Sequence, residues 1–216
     1  MSNVGEGFEL LDSLGINREV QQLFSEVLRE DESGRLTADY RDENGRTVDS
    51  EILTVSNHKL SSGGILSFSP APPENVRLLF IADAVMHLIS MVHCKRGRMD
   101  FAYAAFMAIG ARMDKEMVVS TLANYSKRIK IHTVFGHSLI GRIRDCKVQY
   151  WVKELDCKFG VKNGIVKVTF KGRDYMMGIA KFSLRNHLRQ VGVRQTVSTC
   201  KSFNKNIDNF NLFNYF

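Results

Sequence analysis

Two strand-like segments of this chain each end in a short loop that leads into a helix. The first covers 76–82 and ends at Asp83, and the second covers 130–135 and continues into 136–138. In open α/β sheets, loops at the carboxyl ends of parallel strands hold ligands and catalytic groups. An enzyme that uses metal ions on phosphates would place several carboxylates there. Only Asp83 is present, so the pattern predicts the frame of a phosphate-chemistry site without most of its metal ligands.

The positive charge of the chain is concentrated in its last third. Residues 141–216 contain 15 Lys and Arg against five Asp and Glu, a net charge of +10, whereas residues 1–140 carry −3. Contacts to phosphates release counterions and supply most non-specific affinity for nucleic acid, so this imbalance favours a polyanionic partner. The residues that we expect to contact nucleic acid are Arg142, Arg144, Lys147, Lys171, Arg173, Arg185 and Arg189.

Helical spacing groups some of these cations. Arg144 and Lys147 are three residues apart, and Arg185 and Arg189 are four apart, so each pair shares one face of a helix. Arg142 and Arg144 are two apart and diverge by about 200° on a helix, so they cannot both face one groove. The expected activity is sequence-independent binding of DNA or RNA.

Aromatic residues alternate with cations in the same third of the chain. The aromatic positions are Phe159, Phe170, Tyr175 and Phe182, interleaved with Lys158, Lys162, Lys171 and Arg173. Bases of a single strand stack on such rings above a basic groove. Strands with one buried face give the same alternation, so both interpretations stay open.

The N-terminal segment combines helix and hairpin signals. Apolar residues recur at helical spacing over 10–30, with a break near residue 15 and a cap at Asn17. An Asn-Gly pair within 36–55 separates two strand-like runs and predicts a hairpin. The segment 63–69 can add a third strand. Three prolines in 70–73 mark the boundary of this module.

After the prolines, strands and helices alternate, as in a parallel sheet with helices on both faces. The predicted elements are strands at 76–82 and 129–135, a strand-like apolar run at 101–109, helices at 84–95, 114–125 and 139–155, an alternating strand at 165–175 and a helix at 182–191. The end, 198–216, is rich in Asn and Phe without a clear period, which predicts a loose tail or docking peptide.

Several of these segments resemble the Toprim family. In 79–90 a strand ends in an acid and is followed by a helix, which resembles the first Toprim motif, where a strand ends in Glu and leads into a helix with a small Asp-Ala-Leu segment. The segment 106–110 resembles the middle strand that ends in glycine, and 131–142 resembles the strand, small residue, Gly and Arg of the later motif. The hairpin at 40–46 resembles the segment that precedes Toprim domains in primase-like proteins of mobile elements.

The resemblance, over 36–171, implies a magnesium site whose acids this chain lacks. The motif Glu falls at Asp83, the Asp of the following helix falls at His87, and the two acids of the Asp-x-Asp motif fall at Gly136 and Ser138. Mg²⁺ prefers hard oxygen ligands in octahedral geometry. We therefore expect a degenerate site with no Mg²⁺ cofactor and no phosphotransfer activity, in which Asp83 is the one matching acid.

A rebuilt metal site is the alternative at these positions. Asp83, His87 and His137 would approach each other if both loops lie at the same sheet edge, and imidazole with carboxylate suits Zn²⁺ better than Mg²⁺. The other interpretation is that His87 and His137 fill the space of the absent acids.

Together these features predict an α/β, Toprim-like parallel sheet flanked by helices, with a small N-terminal α+β extension and a basic C-terminal extension. The predicted domains are 1–73, 74–155 and 156–216. We expect a non-catalytic, nucleic-acid-associated accessory protein of bacterial mobile-element replication or transfer, with a replication or mobilisation protein as a further partner. Two alternatives remain: an active Toprim-type primase, nuclease or topoisomerase component, and a protein-interaction module with an acidic partner.

Composition adds an expectation about compartment. No apolar run approaches the roughly 20 residues that span a bilayer, and no N-terminal segment has the pattern of a signal peptide. The cysteines, at 94, 146, 157 and 200, are widely spaced and form no C-x-x-C pair, which predicts reduced thiols. We expect a cytoplasmic protein without a membrane partner.

Overall fold

A five-stranded sheet covered by helices on both faces forms the centre of the computed structural model, which describes residues 7–201. The helices are α1 (Glu9–Ser13), α2 (Arg18–Phe24), α3 (Val85–Lys95), α4 (Lys115–Leu122), α5 (Leu139–Trp151) and α6 (Leu184–Val191). The strands are β1 (Arg29–Glu30), β2 (Leu36–Arg41), β3 (Thr47–Leu53), β4 (His58–Lys59), β5 (Leu66–Phe68), β6 (Leu78–Ala82), β7 (Ala104–Ala108), β8 (Lys130–Thr133), β9 (Cys157–Lys162), β10 (Ile165–Phe170), β11 (Arg173–Gly178) and β12 (Val197–Thr199).

The central sheet has the strand order β12-β8-β6-β7-β5. Strand β6 pairs in parallel with β7 and β8, β12 pairs in parallel with β8, and β5 is antiparallel to β7. The predicted α/β class, a parallel sheet flanked by helices, is confirmed. Because β6, β7 and β8 run in parallel, the residues after them form one edge, called here the carboxyl edge. The residues before them form the amino edge.

Strand β6 is buried on both sides, as its unbroken apolar sequence predicts. Phe80 and Ala82 face a core that includes α1, α2 and α3. Leu79 and Ile81 face a second core that includes Val118 of α4 and residues of α5. Alternate side chains of one strand thus anchor helices on opposite faces of the sheet, which holds the carboxyl edge in a fixed frame.

The N-terminal segment forms a separate four-stranded sheet in the order β1-β2-β3-β4. The predicted Asn-Gly hairpin is confirmed between β2 and β3, with Gly45 at a φ of 76°. The predicted cap at Asn17 is also confirmed, because its side chain accepts a hydrogen bond from the Glu19 N–H at 2.9 Å. The helical pattern predicted over 10–30 is confirmed in α1 and α2, including the break near residue 15, but it was wrong after Phe24, where a turn and β1 follow.

Two strands of the central sheet were not predicted there. Strand β5 was expected to extend the hairpin sheet, yet it pairs with β7, and only a single bridge joins Ile65 to Arg41. Strand β12 lies at the start of the segment expected to be a loose tail, and the rest of that segment, 202–216, falls outside the described residues. Both strands have three residues, too few for a periodic pattern. The sheet therefore extends beyond the predicted core at 74–155, and the division into three domains stays a prediction.

The basic C-terminal segment folds into a three-stranded antiparallel sheet, β11-β10-β9, packed on α5 and α6. The single strand expected at 165–175 is a hairpin that turns at Lys171 and Gly172, both with positive φ. Phe170 and Phe182 are buried, Phe170 on the covered face of β10 and Phe182 in the turn before α6. These two rings are not a stacking surface for bases.

His187 is a buried titratable group of this C-terminal core. It is 1% exposed, its Nε2 lies 2.8 Å from the Tyr150 hydroxyl, and burial lowers its pKa to about 4. An unfolded histidine has a pKa of about 6.5, so the unfolded chain binds the proton first as the pH falls. We expect the free energy of unfolding to decrease as the pH falls from about 6.5 towards 4.

Urea unfolding at pH 7 and pH 5 measures this loss of stability. The His187→Gln variant should show a smaller difference between the two pH values than the wild-type chain. An equal difference in both proteins would show that other groups control the acid sensitivity.

Among residues 7–201, no helix is both long and apolar enough to cross a bilayer. Cys94, Cys146, Cys157 and Cys200 are free thiols, as predicted.

Candidate functional site at the carboxyl edge

Asp83 follows β6 directly and is 5% exposed. Its Oδ1 lies 2.5 Å from Nδ1 of His87, one turn later in α3. Its Oδ2 forms an ion pair with the guanidinium of Arg144 from α5. A second nitrogen of Arg144 donates to the Ala111 carbonyl at 2.9 Å. This bond holds the guanidinium against the loop that follows β7. Both carboxylate oxygens of Asp83 are therefore bound by basic side chains of the same chain.

The pKa values describe an ionised cluster. Burial by itself would raise the pKa of Asp83, but the charges of His87 and Arg144 outweigh it and hold the pKa below its usual range. Burial would lower the pKa of His87, but the charge and hydrogen bond of Asp83 raise it above its usual range. The cluster is thus an imidazolium and a guanidinium that share one carboxylate.

A second buried carboxylate, Glu51 of β3, lies beside this cluster. It is 2% exposed, and its oxygens accept hydrogen bonds from the backbone N–H groups of Val85 and Met86 at 2.7 and 3.2 Å. Ala84 precedes α3 and offers no side-chain cap, so Glu51 satisfies the first turn of α3 from another sheet. The negative charge also complements the positive end of the helix.

Two side chains complete the environment of Glu51. The Tyr40 hydroxyl donates to Oε2 at 2.6 Å, and Nε2 of His58 lies 2.8 Å from Oε1. The rings of His58 and His87 are 6.1 Å apart, so the two carboxylate clusters are neighbours. Glu51 holds the N-terminal sheet against the start of α3.

The loop after β8 caps the N-terminus of α5. Ser138 is the N-cap, and its Oγ accepts a hydrogen bond from the Gly141 N–H at 3.1 Å. A Cβ at Gly141 would collide with the backbone of Gly136, so glycine at 141 permits this close turn. The two positions that match the Asp-x-Asp acids therefore shape the turn.

A lysine ammonium occupies the end of β8. Nζ of Lys201 donates to the carbonyls of Phe135 and Gly136 at 2.7 and 2.8 Å, and to Oδ2 of Asp145 at 2.7 Å. The Thr133 hydroxyl donates to the other oxygen of Asp145 at 2.6 Å. Burial raises the pKa of Asp145, although Lys201 and Thr133 act against that shift. Asp145, like Asp83, is therefore paired with a cationic side chain of the same chain.

The structure brings two of the three residues of the alternative metal site into contact, Asp83 and His87. His137 lies close enough to Asp145 for its charge to act on the pKa of that residue. Within the described range 7–201, no group of three or more His, Cys, Asp or Glu is arranged to hold a metal ion. The zinc interpretation therefore gains no support from the geometry.

The predicted nucleic-acid contacts divide into inward and outward residues. Arg142 donates to the carbonyls of Ile179 and Phe182 at 2.9 and 2.8 Å, which holds the C-terminal unit against α5. Arg144 binds Asp83, as described above. The expected contact of these two residues with nucleic acid gains no support here, because two backbone carbonyls and a buried carboxylate already bind their guanidinium groups.

The other candidates remain accessible. Lys147 is half-buried on α5, whereas the exposed residues are Lys171, Arg173, Arg185 and Arg189. Arg185 and Arg189 lie on α6 one turn apart, as the spacing predicted.

Sequence reasoning missed Glu51, Asp145 and Lys201. Glu51 had a signal, because it alternates with the buried Leu53 on one face of β3, where an acid is unexpected. Lys201 had none, because its partners lie more than 50 residues earlier in the chain.

No protein-family model matches this chain, and no curated protein matches it either. It is similar to the crystal structure of the primase fragment of the bacteriophage T7 primase-helicase, with 16% identity and a TM-score of 0.42. That match covers 70% of this chain and 64% of the fragment, so the chain spans less than two thirds of its length.

A second similar structure is a bacteriophage T7 complex of lagging-strand DNA polymerase with primase domains bound to an RNA/DNA hybrid and dTTP. This match has 18% identity and a TM-score of 0.39, and it covers 71% of this chain and 77% of that chain. Likenesses of this size carry no argument about activity, partners or site residues.

Proposed function

We propose that this chain is a nucleic-acid-associated accessory protein whose Toprim-like carboxyl edge does not perform metal-dependent phosphotransfer. The observation that carries the proposal is the cluster at Asp83, where a guanidinium and an imidazolium bind both carboxylate oxygens. In a metal-dependent phosphotransfer site, divalent ions would supply that positive charge. Here side chains of the protein itself, Arg144 and His87, supply it.

A magnesium ion would compete poorly at this edge. It would have to displace Arg144 and His87 from Asp83, and it would gain one carboxylate, whereas Mg²⁺ prefers several oxygen ligands in octahedral geometry. Glu51 does not help, because the α3 backbone, Tyr40 and His58 already surround its oxygens. The edge is therefore built as a structural ion cluster.

The C-terminal unit supplies the surface for a polyanion. Residues 156–201 contain ten Lys and Arg against two Asp and Glu. On the exposed side of the three-stranded sheet, Lys158 and Lys162 of β9 lie opposite Thr169 and Ile165 of β10. Phosphate groups favour such a surface because each contact releases a counterion. This arrangement supports sequence-independent binding of DNA or RNA.

Metal dependence tests the proposal directly. With Mg²⁺ or Mn²⁺, the purified chain should make no primer, nick or relaxed plasmid, and millimolar Mg²⁺ should leave the melting temperature unchanged because a ligand stabilises only the state it binds. Metal-dependent cleavage that disappears in the Asp83→Ala variant would contradict the proposal and favour the active Toprim-type alternative.

The salt dependence of binding tests the basic surface. Affinity for duplex DNA should fall steeply with salt, with a slope of log K against log salt of about −0.9 for each neutralised phosphate. Changing both Arg185 and Arg189 to alanine should flatten that slope by up to about 2, because each side chain contacts one phosphate. Fluorescence anisotropy across a salt series measures both slopes.

A matched control removes two exposed arginines elsewhere, Arg46 and Arg112, and should keep the wild-type slope. If the wild-type chain binds no nucleic acid at low salt, the accessory proposal fails, and the interaction module with an acidic partner replaces it.

The proposal also includes a biological setting for the chain. A role in replication or transfer of a mobile element, beside a replication or mobilisation protein, follows from the segments that resemble Toprim proteins of such elements. Co-purification of a replication protein with the tagged chain from its native cells would support this role, and loss of the capture in the Arg185→Ala, Arg189→Ala variant would assign it to bridging nucleic acid.

A further inference from the structure

A concave site lies at the amino edge of the central sheet, opposite the carboxyl edge. Its volume is about 780 Å³, and the residues before β6, β7 and β8 line it together with the segment after α3. Ligand pockets in proteins commonly hold about 300–1,000 Å³. The cavity is therefore large enough for a small organic ligand.

The sheet register places the key side chains together. The Arg77 N–H donates to the Tyr103 carbonyl at 2.9 Å, and the Lys130 N–H donates to the Arg77 carbonyl at 3.0 Å. The three residues thus stand side by side at the starts of neighbouring strands. Arg128 lines the same cavity from the loop that precedes β8.

Tyr103 gives the cavity an aromatic surface. It is 45% exposed, which is unusual for a large aromatic residue at the end of a buried sheet, and the guanidinium of Arg77 lies 5.0 Å from its ring centroid. Its hydroxyl makes no hydrogen bond within residues 7–201. The guanidinium lies over one face of this exposed ring, and a planar base can stack on the face that it leaves open.

The charge of the cavity is net positive. Four cations line it, Arg77, Arg98, Arg128 and Lys130, against the acids Glu74 and Asp100. Asp100 already accepts a hydrogen bond from the Ala102 N–H at 2.9 Å. In the part of the chain that the structure describes, no ion pair neutralises Arg77, Arg128 or Lys130. These cations are available for an anion.

The cavity is distinct from the site at Asp83. Asp83 lies six residue steps after Arg77 along extended chain, which is roughly 20 Å at about 3.3 Å per residue. The exposed basic face of the C-terminal sheet does not contribute to it either. The contents of this cavity therefore go beyond the proposed function.

We propose that the amino-edge cavity binds one nucleotide, with its base against Tyr103 and its phosphates among Arg77, Arg128 and Lys130. The ring selects for the base and the cations select for the phosphates, so neither part alone satisfies the site. The nucleotide can be a free nucleoside polyphosphate or the terminal unit of a single strand, because both present the same base and phosphate.

Calorimetric titration of the full chain at low salt tests this site with four probes: ATP, tripolyphosphate, adenosine and a 5′-phosphorylated oligothymidylate. ATP or the oligonucleotide should bind more tightly than tripolyphosphate and adenosine. Tighter binding of ATP identifies a free nucleotide. Oligonucleotide binding that needs the 5′-phosphate and weakens in Tyr103→Ala identifies a strand end, because the basic C-terminal face binds a strand without either feature.

Variants locate the binding. Tyr103→Ala should weaken it about 5-fold or more, because stacking on an aromatic ring contributes at least that factor, while Tyr103→Phe should bind like the wild-type chain. Arg128→Ala should also weaken it, and Arg46→Ala, which removes the same charge far from the cavity, should not.

Three results would overturn the proposal. The first is no binding of ATP or oligonucleotide by the folded wild-type chain. The second is tripolyphosphate binding as tight as ATP binding with no effect of Tyr103→Ala, which would show a plain anion site. The third is binding that Tyr103→Ala and Arg128→Ala leave unchanged, which would place it elsewhere.

Discussion

Replacing Arg144 by methionine is expected to lower the free energy of unfolding by about 3 kcal/mol or more. The guanidinium is largely buried and binds Oδ2 of Asp83, so its loss leaves a buried carboxylate with His87 as its one remaining cation. Removing one partner of a buried ion pair costs far more than removing both, because the remaining charge has lost its compensation. Urea unfolding at neutral pH measures the change.

Two further variants identify the cause. Arg144→Met combined with Asp83→Asn should recover much of the lost stability, because the uncompensated charge is gone. Arg112→Met removes an exposed arginine from the same region and should change stability by less than about 0.5 kcal/mol. If Arg144→Met were as mild as Arg112→Met, the cluster at Asp83 would not hold the carboxyl edge together.

Glu51→Ala is expected to lower the free energy of unfolding by about 3–5 kcal/mol. The change leaves the Tyr40 hydroxyl and two backbone N–H groups at the start of α3 without their acceptor. Each buried donor that loses its partner costs about 1–3 kcal/mol. Local relaxation of the structure, or a water molecule that enters the space, recovers part of this cost.

Glu51→Gln should give an intermediate loss, because it keeps the size and one acceptor oxygen but removes the charge at the helix terminus. Glu43→Ala, at the exposed hairpin turn, is the matched control and should be nearly silent. A loss below about 1 kcal/mol for Glu51→Ala would show that water replaces the carboxylate at no great cost.

The strands that carry the carboxyl edge were predictable because β6 is an apolar run and β8 alternates polar and apolar residues before a loop that leads into a helix. Strands β6 and β8 and the helices that follow them were found within a few residues, and Asp83 was placed correctly at the end of β6. The divergence of Arg142 and Arg144 was also predictable from helix geometry, and the two indeed serve different partners.

The partners of the edge residues were not predictable. Arg144 is 61 residues from Asp83, and Glu51 is 34 residues from Val85, so only the folded topology brings these groups together. Sequence reasoning treated Arg144 as a free surface cation because charge counting does not distinguish a solvated guanidinium from a buried one. The compensation of a carboxylate by a distant cation is a property of the tertiary structure.

The parallel pairing of β12 with β8 sets the order in which the central sheet is completed during synthesis. The chain must extend to Lys201 before β8 gains its second neighbour and Asp145 gains its ammonium partner. Until then, β8 is an edge strand with unpaired backbone groups, the kind of surface that pairs with other chains. A nascent chain stalled short of 197 would thus carry an open edge, and a chain released after 201 would close it.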